Sequence, residues 1–159
     1  TEAALKSLVP KLRPGGLFMF YLYVTKGPIR EFSDDYIRDK LSGLSQEEAW
    51  QKLMPLSKLG KILGDLNLEI DIEDDVDLLA IPAGKINLQR LFYWHVAKAF
   101  YRDDYSLEDM NFVNFDWYSP KNSHRQTPEE IRKWCGEAGL EIYREKIEPA
   151  GMTVLAHRR

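Results

Sequence analysis

Chemistry-bearing side chains concentrate in two stretches of this 159-residue chain. The window from Phe92 to Tyr118 holds ten of the nineteen aromatic residues. Rings at that density build an apolar pocket wall that orients a small molecule and excludes water, or the core of a cap, since aromatics dominate burial wherever they occur. Phe92, Phe100 and Phe112 fit the core reading. The run Asn114-Phe115-Asp116-Trp117-Tyr118-Ser119-Pro120 mixes rings with Asn, Asp and Ser on what reads as a loop, which suits polar recognition equally well. Asp116, Trp117 and Tyr118 are therefore candidate substrate contacts. His124, in Ser123-His124-Arg125, is the candidate catalytic base: imidazole titrates near neutrality and can take a proton from a nucleophilic hydroxyl or amine. A solvated loop histidine is the plain alternative. Arg125 beside it is a further candidate contact. Tyr21 and Tyr23 share one face of an apolar strand near its carboxyl end, where they line a site or pack the sheet.

Other constellations fail on spacing. The acidic stretch Asp65, Glu69, Asp71, Glu73, Asp74, Asp75, Asp77 invites a calcium loop. Counted from Asp71, however, the sixth position is Val76 where glycine is needed, and the twelfth is Pro82 where a glutamate is needed. It reads as a solvated surface whose field would attract a cationic substrate. Three scattered histidines without H-x-x-x-H spacing offer no zinc site, so no metal is expected. His95 lies on an apolar helical stripe and is expected buried and hydrogen-bonded. His157 is expected solvated, and Cys135 a small core residue.

Composition bounds the classes. The chain is 44% hydrophobic, which excludes disorder, and one cysteine excludes a disulfide framework. A net charge of −3 argues against nucleic acid, whose binding rests on Lys and Arg neutralising phosphates. The longest apolar run, Leu17 to Val24, is too short to span a membrane or to form a signal-peptide core. A soluble, cytoplasmic, globular domain is expected. The chain opens Thr1-Glu2-Ala3-Ala4 inside a helical pattern and without Met, which suggests processing or a start within a longer protein.

The elements that must position these residues follow from periodicity and punctuation. A helix is expected over residues 2–12, stopped by Arg13-Pro14-Gly15-Gly16. The strand Leu17 to Val24 does not alternate and so reads as covered on both faces, as in a parallel sheet. After Lys26-Gly27-Pro28 a short helix runs from Ser33 to Leu41. Ser45-Gln46-Glu47-Glu48 is a capping box opening a helix with stripe Ala49, Leu53, Leu56, Leu59, Leu63, Leu66. Residues 67–84 read as irregular, 87–102 as helix, and 103–126 as loop with at most a helical turn. Thr127-Pro128-Glu129-Glu130 is a second capping box with proline at the favoured first position. Its helix ends at Gly139, and Leu140–Ile147 and Met152–His157 form an antiparallel hairpin.

Leu12-Arg13-Pro14-Gly15-Gly16 before an apolar strand resembles the segment ahead of the fifth strand in class I S-adenosylmethionine-dependent methyltransferases. Thr127-Pro128-Glu129-Glu130-Ile131, Trp134, Glu137-Ala138-Gly139-Leu140 and the closing hairpin resemble the end of the same family, whose last strand inserts antiparallel between its neighbours. The resemblance covers residues 8–24 and 127–159. It implies an α/β fold: a partial Rossmann-like methyltransferase sheet of three strands, the last one antiparallel, in order first, last, middle. Residues 1–24 and 127–159 would be the C-terminal part of that core, and 25–126 a large helical insertion capping the site. The implied activity is transfer of a methyl group from S-adenosylmethionine to a small-molecule acceptor.

The family holds this cofactor in a glycine-rich loop after its first strand, and no two of this chain's glycines fall in G-x-G spacing. The cofactor-binding N-terminal half is therefore expected to be absent. This chain alone is expected neither to bind S-adenosylmethionine nor to be active. A homodimer, or pairing with that missing half, would cover the sheet. The competing class is a non-catalytic module that binds a small molecule or a protein on a methyltransferase-like scaffold.

Overall fold

The computed structural model describes residues 1–159. It is a mixed α/β protein in two compact units, one formed by residues 1–25 and 124–159, the other by 26–123.

In the first unit, helix α1 (Glu2–Leu8) runs on into a tight 3-10 turn at Val9–Lys11. Gly15, at φ +72°, makes the reversal into strand β1 (Leu17–Tyr23), a conformation glycine adopts without steric cost. Helix α6 (Pro128–Glu137) starts on the Thr127/Glu130 capping box read from the sequence, with both reciprocal bonds formed. Strands β4 (Leu140–Ile147) and β5 (Gly151–Arg158) follow. The sheet order is β1-β5-β4, with β5 antiparallel to both neighbours. The last strand thus lies between the other two, as expected.

Leu5 and Val9 from the N-terminal segment, Ile131 and Cys135 from α6, and Leu140, Met152, Val154 and Ala156 from the hairpin form the core. Cys135 is buried, as its place on the helical stripe suggests.

The expectation that β1 is covered on both faces is corrected. Phe18, Phe20 and Leu22 pack on the core, whereas Leu17, Met19, Tyr21 and Tyr23 are exposed. Both helices of this unit supply the same core, so the strand is buried on one face in spite of its unbroken apolar sequence. No further strand pairs with its other edge, which carries only a single bridge, from Val24 to Gln126, at its carboxyl end.

In the second unit, helix α2 spans Pro28–Leu41, with Gly27 as N-cap and proline at the first turn. It begins five residues before the expected Ser33, because Gly27-Pro28 opens the helix and does not merely end the strand. Helix α3 (Gln46–Asp65) starts on the Ser45/Glu48 capping box.

Residues 67–84 are not wholly irregular: β2 (Glu69–Ile72) pairs antiparallel with β3 (Gly84–Asn87). Their signal is the alternation of exposed Glu69 and Asp71 with half-buried Ile70 and Ile72. Helix α4 (Leu88–His95) is shorter than expected.

The expected loop 103–126 contains a twelve-residue helix, α5 (Leu107–Tyr118), capped by Ser106 and Asp109. Asp in place of Glu at the fourth position of that box hid it from the sequence pattern. Leu41, Ala49, Leu53, Trp117 and Tyr118 form the buried centre of this unit. No helix is long and apolar enough to cross a membrane.

Candidate functional site

The densest polar arrangement lies around the end of α5. One turn of α2 brings Arg30 and Asp34 onto the same face at i,i+4, both essentially sealed from solvent. Asp34 accepts from Arg30 Nε at 2.9 Å, from Trp117 Nε1 at 2.9 Å and from the Tyr118 hydroxyl at 2.9 Å. The Tyr118 hydroxyl in turn accepts from the Lys98 backbone N–H at 2.8 Å. Arg30 Nη1 donates to the Tyr93 carbonyl. Burial first, and the Asp34 charge second, push the Tyr118 hydroxyl well above its ordinary value, so it stays protonated and donating.

Cations collect on the Trp117 indole. Lys98 Nζ stands 4.8 Å from the ring centroid, Arg38 Cζ 5.0 Å, Lys26 Nζ 5.3 Å and Arg30 Cζ 5.8 Å. Lys98 Nζ donates to the Val113 carbonyl at 3.2 Å. Burial lowers the Lys98 ammonium to about 8, with Arg30 and Lys26 acting the same way and Asp116 and Asp34 opposing. Beside this cluster a cavity of about 450 Å³ is lined by Arg38, Leu41, Ser42, Tyr118, Ser119 and Lys121 among others.

The residues singled out in the sequence fall into two groups. Asp116, Trp117 and Tyr118 all lie on α5, but not as recognition groups on a loop. Trp117 and Tyr118 are buried and give their polar hydrogens to Asp34, while Asp116 is exposed. Asn114 is fully buried: it accepts from the Phe100 N–H at 2.9 Å and donates to Ser57 Oγ at 2.8 Å. The polar atoms in this stretch thus organise the interior.

Tyr21, Tyr23, His124 and Arg125 belong to the other unit. A parallel bridge between Val24 and Gln126, with the Gln126 N–H donating to the Tyr23 carbonyl at 3.0 Å, places the segment after His124 and Arg125 against the carboxyl end of β1. Tyr21 and Tyr23 form an edge-on pair, ring centroids 5.6 Å apart. Burial and the neighbouring Tyr23 and Glu148 raise the Tyr21 hydroxyl above its usual range. His124 is exposed.

His95 is half-buried, and burial lowers its imidazole, followed by Arg30, against a hydrogen bond with the Ala80 backbone. His157 comes within 3.7 Å of Glu141. No group of three or more His, Cys, Asp or Glu side chains is placed to hold a metal ion.

Lys26, Arg30, Asp34, Arg38 and Lys98 carry the cluster, and sequence reasoning missed all five. Arg30 and Asp34 had a usable signal, an oppositely charged i,i+4 pair, once the helix is started at Pro28. Lys98 had none, because its partners are assembled by tertiary packing.

At Gly15 and Gly139 the backbone turns with positive φ, and at Gly151 a Cβ would meet the Tyr21 ring and the Leu22 carbonyl. The space at Gly151 is therefore filled by the protein's own side chain. No family model, curated protein or solved structure matches the chain.

Proposed function

We propose that this chain is the C-terminal, acceptor-selecting part of an S-adenosylmethionine-dependent methyltransferase acting on a small molecule, with the cofactor held by residues outside this sequence. One observation carries the reading: the sheet order β1-β5-β4, with the final strand antiparallel between its neighbours. It follows the Leu12–Gly16 turn and a proline-started helix at the positions where the family resemblance requires them.

Two further features support it. Residues 26–123 leave the chain at the carboxyl end of β1, the end of an open α/β sheet at which ligands sit. In this reading they are the inserted, acceptor-selecting segment, and Tyr21, Tyr23, His124 and Arg125 line the acceptor side. The open edge and exposed apolar row of β1 are where a further α/β layer, or a second copy of the chain, continues the sheet.

The test is calorimetric titration with S-adenosylhomocysteine, on this chain and on the same chain carrying its natural flanking sequence. The chain alone is expected to show no heat of binding, and the flanked chain micromolar affinity. Micromolar binding by the chain alone, or no binding by the flanked chain, overturns the reading and leaves the non-catalytic binding module.

A further inference from the structure

We propose that the open edge of β1 is the contact surface for a second copy of this chain, which adds its own β1 antiparallel about a two-fold axis at Met19. The proposal goes beyond the methyltransferase reading and does not rest on it. It names which continuation of the sheet this chain takes, and it stands on the first unit alone.

The core is unfinished on this side. Met152, Val154 and Ala156 of β5 are completely buried, whereas Phe18, Phe20 and Leu22, packed against the same core from the adjoining strand, are only half-buried. On the opposite face Leu17 and Met19 are 66% and 71% exposed, with Tyr21 beside them. The two edges of the sheet also differ in kind. Strand β4 carries Glu141, Arg144, Glu145 and Lys146 and is broken by a bulge between Ile142 and Arg144. Charges and bulges of this sort discourage further pairing. Strand β1 reads Leu17-Phe18-Met19-Phe20-Tyr21-Leu22-Tyr23, with no charge, proline or bulge.

Backbone direction sets the register. The Val24 N–H donates to the Ala150 carbonyl on the β5 side, while the Tyr23 carbonyl accepts from the Gln126 N–H on the other edge. Successive residues point these groups alternately to the two sides, so Leu17, Met19 and Tyr21 present theirs to the open edge. Pairing centred on Phe20 would need the Tyr23 carbonyl, which Gln126 already holds. Pairing centred on Met19 does not: Leu17 opposes the partner's Tyr21, Met19 opposes the partner's Met19, and each opposed pair exchanges its N–H and C=O groups. Phe18 then meets the partner's Phe20 on the core face, an aromatic cross-strand pair that covers both half-open rings. An uncharged edge offers no pattern for selecting a foreign strand, whereas this one matches itself about Met19. The contact is isologous and therefore closes at two copies. Both margins of the doubled sheet are then β4, with its charges and bulge. The pair would bury roughly 1,000 Å², the lower end for a specific interface, which suits a dimer of micromolar affinity.

The test is sedimentation velocity on the full chain from about 1 to 200 µM, where a dimer dissociating on dilution is expected. Met19→Lys, at an exposed site, puts two ammonium groups on the axis and should weaken the dimer by about tenfold or more while the circular dichroism spectrum stays unchanged. Register is read by oxidative cross-linking. Met19→Cys should form an intermolecular disulfide, because an opposed hydrogen-bonded pair brings its Cα atoms to about 5.5 Å. Leu17→Cys should not, because the two copies of that position lie about 13 Å apart along the strands. The native Cys135 is buried and supplies no competing thiol. A chain that stays monomeric at the top of the concentration range overturns the proposal. So does a Met19→Lys variant that dimerises like the parent chain, or Leu17→Cys cross-linking as readily as Met19→Cys. None of these measurements involves the cofactor, so failure here and failure of the methyltransferase reading are distinguishable.

Discussion

Replacing Asp34 by alanine is the sharpest perturbation of the second unit. The carboxylate is fully buried and receives three donors, each at 2.9 Å. Removing it strands the Arg30 guanidinium, whose side chain is only 1% exposed, and an uncompensated buried charge costs about 3–5 kcal/mol. The orphaned Trp117 N–H and Tyr118 O–H each add about 1–3 kcal/mol if no water reaches them. These losses overlap, and a total of about 4 kcal/mol is the lower expectation. With a urea dependence of about 2 kcal/mol per molar, the midpoint falls by about 2 M.

Arg30→Met alone should also destabilise, because it leaves the Asp34 carboxylate buried without its cation. The pair Arg30→Met/Asp34→Leu should lose less than the sum of the single changes by about 2 kcal/mol or more, since neither charge is then left alone. Urea unfolding read through tryptophan fluorescence measures all three, Trp50, Trp94 and Trp117 lying in this unit. A midpoint shift below about 0.5 M for Asp34→Ala, or strict additivity of the single changes, would refute the view that this buried pair is one coupled network.

Stability should rise between pH 8 and about 10, by up to roughly 2 kcal/mol, because the unfolded chain still binds a proton on Lys98 that the folded chain has released. Above that range the raised Tyr118 hydroxyl reverses the trend, the unfolded tyrosine ionising first. Lys98→Met should flatten the rise in denaturation curves across this window, and an unchanged slope rejects the assignment. Gly60→Ala should destabilise by about 1–3 kcal/mol although alanine favours helix, since its Cβ would stand 2.8 Å from the Ala99 carbonyl oxygen; a raised melting temperature contradicts that close approach. Asn114→Leu should cost about 1–3 kcal/mol by leaving the Phe100 N–H without its acceptor and removing the donor to Ser57 Oγ, whose own hydrogen stays on Asn111. A loss below about 1 kcal/mol in the same urea assay counts against the network.

What the sequence discloses depends on how local the cause is. The capping boxes at Ser45 and Thr127 are statements about four consecutive residues, and both form as read. The closing hairpin follows from two apolar runs about a Pro149-Ala150-Gly151 turn, and the structure has it. The face of β1 that meets solvent was not legible, because an unbroken apolar run carries no information about which side its helices take. Helix α5 was missed because its aromatics and amides imitate a recognition loop, and only tertiary pairing shows Asn114, Trp117 and Tyr118 bonding inward. The Lys98 cluster is the extreme case. Its members are contributed from residues 26 to 117, and no spacing rule connects them.

The discontinuity of the first unit sets an order of assembly. Its sheet joins β1 to β5 across 26–123, a stretch that forms a unit of its own. Closing so long a loop from an unstructured chain costs about 4 kcal/mol of entropy beyond the constant term. Prior folding of 26–123 shortens the effective tether and removes much of that barrier. The intervening unit therefore acts as an intramolecular matchmaker for the two ends, and mutations that slow its own collapse should delay formation of the β1–β5 pairing without touching any residue in it.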